Sequence, residues 1–251
     1  KGGTGKTFLA TNLFFTLQQK GYAPTLVDCD AEEPNAALFL KGVLQKSVDV
    51  SLRVPLIDVD KCTFCGKCQE ACSYHAIFIV PSLQLIRVLE EFCHGCGACT
   101  FMCKEGAIHE KDLIQGTVEC YLLNKNARLI VSEMKPGVYS PVKVIQSGIR
   151  EAGNDNLVIL DAPPGTSCPF IHTVAHADYV ILVTEPTPFG LSDLKHSIQV
   201  LRKMNKKFGV VINRAGVGDR SIYDYLQKEG ILQLMEIPFS HAIAASCANG
   251  E

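Results

Sequence analysis

Two stretches carry residues with the types and spacing for metal chemistry. Residues 60–77 read DKCTFCGKCQEACSYHAI and residues 91–108 read EFCHGCGACTFMCKEGAI. Cys62, Cys65, Cys68 and Cys72 share one C-x2-C-x2-C-x3-C spacing with Cys93, Cys96, Cys99 and Cys103, and the copies are offset by 31 positions (93 − 62). Cysteines three apart on a tight loop converge their sulfurs on one centre, which is thiolate–metal chemistry rather than disulfide chemistry. A third stretch, KGGTGKT at residues 1–7, fits the last seven positions of G-x4-G-K-[ST]. Gly2, Gly3 and Gly5 let successive N–H groups, with that of Thr4, turn inward around phosphate oxygens. The following helix adds its positive end. Lys6 would reach the β- and γ-phosphates, and Thr7 would hold Mg²⁺. One chain thus pairs a nucleotide site with eight metal-type cysteines.

Elements must position these residues. The chain has 251 residues, 47% of them hydrophobic, enough for one or two domains with sizeable cores. Ala10, Leu13, Phe14 and Leu17 recur at helical spacing, so residues 7–20 read as a helix stopped by Gly21. PTLVD (24–28), LVILD (157–161) and DYVILVTE (178–185) read as buried parallel strands. Leu191, Leu194, Ile198 and Leu201 mark a helix with Ser192 near its start. FGVVINR (208–214) reads as a strand, SIYDYLQKEG as a helix and LQLMEIP as a last strand. This alternation predicts an α/β fold with a doubly wound, mainly parallel sheet.

Residues from about Ile57 to Val118 break that rhythm, and the two cysteine copies each end in Ala-Ile, at Ala76-Ile77 and Ala107-Ile108. The expected organisation is an α/β domain over 1–57 and 119–251, with a small pseudo-symmetric α+β domain inserted at 58–118. Residues 119–150 are poorly periodic, and YLLNKNARLIVSEMKPGVYSP (121–141) reads as strands and a turn returning the chain to the sheet. A phosphate loop ordinarily follows a strand, so one more strand is expected upstream of Lys1, and CANGE reads as an interrupted helix. The net charge of −2 argues against a nucleic-acid partner bound by bulk charge. No apolar run reaches the roughly 18 residues of a transmembrane segment. No export signal is visible, so a reducing cytoplasm is the expected setting.

The nucleotide motifs resemble those of the deviant Walker A ATPases, the MinD/ParA/Mrp group. Lys1 sits where that group has a lysine that crosses a dimer interface to the partner's nucleotide. The resemblance implies ATP and Mg²⁺ as cofactors and an ATP-dependent dimer, with a second copy or with a similar ATPase. In VDCDAEEPN, Asp30 matches the residue that positions the attacking water and Asp28 the neighbouring acid near magnesium. In LVILDAPPGT, Asp161 would hold Mg²⁺ through water and the Gly165 N–H would sense the γ-phosphate. Asn213 matches the group's adenine-binding asparagine. The plainer readings are a solvated lysine at position 1, a charged strand end at 28–30 and a turn asparagine at 213.

The cysteine copies resemble the bacterial two-cluster ferredoxin, whose fourth cysteine serves the other cluster. That resemblance implies one [4Fe–4S] cluster on Cys62, Cys65, Cys68 and Cys103, and another on Cys93, Cys96, Cys99 and Cys72. Ser73 and Lys104 stand where the family has proline. Structural zinc is the competing reading, although it rarely uses this three-plus-one spacing twice. Cys29, Cys120, Cys168 and Cys247 read as inert thiols. Cys168, seven residues after Asp161, also matches a cysteine that holds an interface cluster in the nitrogenase iron protein. His172 and His176 read as surface positions.

Together these imply an ATPase whose nucleotide state gates electron transfer through two clusters to a redox partner protein. A cluster assembly or delivery factor is the first alternative, and buried four-ligand clusters make poor cargo for it. A ParA/MinD-like positioning ATPase with a redox-sensing module is the second.

Overall fold

The computed structural model describes residues 2–250, and Lys1 lies outside them. In chain order the elements are α1 (Lys6–Gln19), β1 (Thr25–Asp28), α2 (Ala36–Phe39), β2 (Val43–Ile57), α3 (Lys67–Glu70), β3 (Ile77–Val80), β4 (Leu85–Val88), α4 (Ala98–Met102), β5 (Ile108–Leu122), β6 (Arg128–Met134), α5 (Val142–Ala152), β7 (Val158–Asp161), α6 (Cys168–Ala175), β8 (Tyr179–Thr184), α7 (Pro188–Lys203), β9 (Lys207–Ala215), α8 (Ser221–Lys228), β10 (Gln233–Pro238) and α9 (His241–Ala248).

The α/β architecture is as expected, with a mainly parallel core. β1 lies between β6 and β7 and is parallel to both, while β8, β9 and β10 form a second parallel set. β1 is buried along its whole length, as an apolar run covered on both faces must be. The parallel strands fall in two hydrogen-bonded blocks rather than one sheet, and β3 and β4 pair separately as an antiparallel hairpin. β7 and β8 face a cavity of about 850 Å³ between the blocks, lined also by Thr4, Lys6, Leu13 and Leu17. The slot leads to the glycine loop.

The stretch 121–141 holds the end of β5, then β6 and a turn, as expected. Two elements are not expected from the sequence. α5 follows that turn, and it buries Val144, Ile145, Gly148 and Ala152 on one face. Gly148 lets the helix approach β6, since a Cβ there would run into the Ser132 hydroxyl. β2 and β5 form an antiparallel ribbon 15 residues long, and β5 crosses the expected 118/119 boundary without a break. Gly116 of β5 pairs with Met134 of β6. The eight residues from Ile108 to Gln115 therefore run past the sheet by about 26 Å at ~3.3 Å per residue. Because β6 is parallel to β1, that overhang projects from the end of the sheet that carries Asp28 and Asp161.

Candidate functional site

The glycine loop sits at the carboxyl end of the parallel strands. Gly3 and Gly5 take φ values of 78° and 94°, which only glycine adopts readily. Gly5 caps α1, so Lys6 and Thr7 open that helix. Thr4 is buried, and its carbonyl accepts from Asn213 Nδ2 at 2.9 Å. Asn213 Oδ1 accepts from the Arg214 N–H at 2.9 Å, so the chain itself engages both ends of that amide. A Cβ on Gly5 would overlap the Asn213 amide. The structure thus brings Asn213 to the loop as a brace, a role that sequence spacing does not reveal.

The acids converge beside Lys6. Asp28 is fully buried and accepts from the N–H groups of Asp30 (3.1 Å), Asn35 (2.9 Å) and Ala36 (2.9 Å). It therefore ties down the loop that presents Asp30. Burial raises its carboxyl above the ordinary value, and those three N–H groups oppose the rise. Asp30 is pushed up to about 6, first by burial and then by the charge of Asp28, with Lys6 pulling the other way. Asp161 is pushed up to about 7, chiefly by burial, against a hydrogen bond from Thr7 and the charge of Lys6. Asp161 Oδ2 is buried with no hydrogen-bond partner among the described residues. A buried, unsatisfied carboxylate oxygen beside a threonine hydroxyl suits a hydrated divalent cation, whose charge would reverse the cost of ionisation. Gly165, with φ 87°, is exposed in the loop after β7, beyond Pro163 and Pro164.

The cysteine copies fold alike. Gly66 and Gly97 take φ values of 80° and 72° and cap α3 and α4. Phe64 and Gly95 hold equivalent left-handed positions, and their N–H groups donate to Cys62 Sγ and Cys93 Sγ at 3.4 Å each. The Ala76 N–H donates to Cys72 Sγ at 3.3 Å. The copies also exchange equivalent hydrogen bonds, Asp58 N to Ala107 O at 2.7 Å and Leu89 N to Ala76 O at 2.8 Å. Tyr74 stacks on His94 with ring centroids 3.8 Å apart, which draws the end of the first copy onto the second.

Cys72, Cys93, Cys96 and Cys99 accordingly line one small cavity together with Gly95 and Gly97. Cys68 is buried in a core of Ile77, Ile79 and Ile108, against which Cys103 packs. Burial raises the Cys68 thiol, and charge on nearby Cys62 and Cys65 raises it further. Burial likewise raises Cys93, with charge from Cys72 and Cys96 adding to it. Cys65 is exposed, and the Lys67 N–H holds its thiol below the ordinary value. Among the described residues, no three His, Cys, Asp or Glu side chains converge as for a single metal ion. A four-iron cluster asks for a different arrangement, with one thiolate on each of its irons.

The remaining candidates lie apart. Cys29 and Cys120 are buried, Cys168 is exposed at the first residue of α6, and Cys247 is half-buried in α9. His172 Nδ1 meets Gln146 Nε2 at 3.2 Å, and His176 Nδ1 meets the His172 carbonyl at 2.8 Å, so each ring is engaged locally. No helix among the described residues is long and apolar enough to cross a membrane.

Known proteins resemble this chain in sequence and in fold. An uncharacterized protein of Methanocaldococcus jannaschii is 33% identical over 263 residues, covering 100% of this chain and 87% of that protein. The cell division ATPase MinD of Pyrococcus furiosus has a similar structure, with a TM-score of 0.57 and 20% identity over 100% of this chain and 84% of that one. The septum site-determining protein MinD of Pyrococcus horikoshii OT3, complexed with Mg-ADP, gives a TM-score of 0.57 and 20% identity over 100% and 82%. A family model described as the CobQ/CobB/MinD/ParA nucleotide binding domain matches residues 1–251, and the chain, with its glycine loop set against a mainly parallel α/β core, belongs to that family.

Proposed function

We propose that this chain is an ATPase whose nucleotide state gates electron transfer through two [4Fe–4S] clusters. Gly2, Gly3, Thr4 and Gly5 would surround the phosphates with N–H groups, and Lys6 would neutralise their charge. Thr7 and Asp161 would hold Mg²⁺, for which the unpartnered Asp161 Oδ2 is a fitting acceptor. Asp30 would orient the attacking water, held in place by the hydrogen bonds to Asp28. Gly165 would follow the γ-phosphate, Asn213 would meet the base with the amide hydrogen that it does not give to the Thr4 carbonyl, and Lys1 would reach the nucleotide of a second copy or a similar ATPase.

The observation that carries the redox half is the cavity that joins Cys72, from the first copy, to Cys93, Cys96 and Cys99. It supports the crossed ligand sets and a ferredoxin-like module carried on the β2–β5 ribbon, in place of a domain that ends at 118. When bound, such clusters carry one electron each. The chain's own part is to present four thiols per site and to aim the Phe64, Ala76 and Gly95 N–H groups at sulfur. A redox partner protein would receive or supply the electrons.

A second reading is favoured by the family match. The chain would be a MinD- or ParA-like positioning ATPase in which the cysteine module senses redox state. Anaerobic redox titration with EPR, with and without Mg-ATP, together with cluster reoxidation by a one-electron dye, separates the two. Gating predicts reoxidation that depends on Mg-ATP and is lost in Lys6→Ala. Sensing predicts reoxidation indifferent to nucleotide, with hydrolysis that changes when the clusters are oxidised. Iron content unaltered in Cys96→Ala would refute the ligand set.

A further inference from the structure

We propose that Tyr139 and Phe92 form the contact through which the nucleotide site acts on the second cysteine loop. This rests on the gated reading above and names the residues that would carry it. The Ala31 carbonyl, in the acid loop beside Asp30, accepts from the Met134 N–H at 2.8 Å. Met134 ends β6. The next N–H, of Lys135, donates to the Gln115 carbonyl at 2.8 Å. Segment 135–140 is thus rooted between the acid loop and the ribbon that carries the cysteines. It turns through Gly137, at φ 86°, with the Val138 N–H donating to the Lys135 carbonyl at 3.2 Å.

That turn presents Tyr139, whose ring meets Phe92 edge-on with centroids 6.5 Å apart and planes at 70°. This lies within the favourable range for aromatic pairs. Phe92 directly precedes Cys93. On its other side the loop has no room to drift, because a Cβ on Gly95 would already come within 2.6 Å of Leu52 Cδ1 and 3.0 Å of the Arg53 carbonyl. A displacement at Phe92 therefore reaches Cys93 and its sulfur-bound Gly95 N–H instead of being absorbed. Tyr139 and Phe92 are 74% and 45% exposed, so the pair is no part of the core and truncating it leaves the fold intact.

The test is hydrogen exchange of segment 88–97 in the cluster-loaded protein, with and without Mg²⁺ and a non-hydrolysed ATP analogue. In wild type the nucleotide is expected to change exchange there by about two- to tenfold, the scale an aromatic pair can transmit. Tyr139→Ala and Phe92→Ala should each abolish that response, and the double variant should add nothing, while nucleotide affinity and iron content stay at wild-type levels. A response retained in Tyr139→Ala overturns the proposal and leaves the gated reading standing. No response at 88–97 in wild type, with clear protection of the glycine loop, overturns both.

Discussion

Asp161→Asn should stabilise the protein in the absence of Mg²⁺ and nucleotide, an unusual effect for a change at a buried site. Burial holds the Asp161 carboxyl at about 7 against an ordinary 3.8. A carboxyl with a raised folded value binds its proton more tightly folded than unfolded, so ionisation works against the fold. The cost is absent below about pH 4, grows as pH rises towards 7 and is complete above it. The interval between 3.8 and about 7 corresponds to roughly 4 kcal/mol. Relaxation around the charge leaves an observable gain of about 2 to 4 kcal/mol at pH 8, falling below about 2 kcal/mol at pH 5. Urea denaturation followed by circular dichroism, on anaerobically purified protein at both pH values, measures it. Mg-ATP should reverse the ranking, since wild type gains binding free energy that the variant cannot. A variant less stable than wild type at pH 8, or a gain of equal size at both pH values, would refute the argument that an uncompensated carboxylate sits there.

Two further outcomes follow from the same geometry. In the proposed role Asp30 must be ionised to orient water, and its value of about 6 puts that step within reach of a pH profile. The kcat/KM for phosphate release, which reports the free protein, should rise through about pH 6 with one proton lost, and Asp30→Asn should cost at least about a hundredfold in rate while nucleotide still binds. Gly95→Ala should lower iron content by up to one cluster, because its Cβ would press on Leu52 and the Arg53 carbonyl. Gly66→Ala, where a Cβ meets open space, should cost only left-handed strain and keep its iron. Equal iron in both variants, assayed per chain, would show that the second loop does not depend on its seat against β2.

The parallel strands were legible because short apolar runs such as TLVD, VILD and YVILVT end in or run up to polar residues, although only β1 is buried along its whole length while β7 and β8 border the slot. The cysteine repeat was legible because spacing survives without any knowledge of packing. The ribbon was not. Most of β2 from Val43 to Val48 is exposed, so neither face imposes an alternation on residues such as Gln45 and Lys46. Helix α5 was legible in principle: Val144, Ile145, Gly148 and Ala152 recur at helical spacing between Pro141 and Gly153. Its opening Val-Lys-Val-Ile reads locally as strand, and the two periods compete over so short a run. Ser192 does lie near the start of α7, and the cap is Thr187, which accepts from the Gly190 N–H at 3.0 Å. The Asn213 bridge to Thr4 and the Phe92–Tyr139 contact join distant parts of the chain, and no local pattern announces either one.

The point at which the chain departs for the cysteine region matters to any link between the two chemistries. It leaves after β1 and the acid loop, and it returns through β5 into β6, whose Val131 pairs with Asp28 itself. The ribbon is therefore one strand removed from the loop that holds Asp30. A connection leaving between β8 and β9 would instead root the cysteines in the other hydrogen-bonded block, across the slot from Asp28 and Asp161. Movement of the acid loop must displace the Met134 N–H or break its bond to Ala31, and the ribbon shares that residue through Gly116. Coupling at this root needs no long path through the core. It needs only that β6 and the acid loop move as one body, and the three N–H groups held by Asp28 stiffen the loop enough for that.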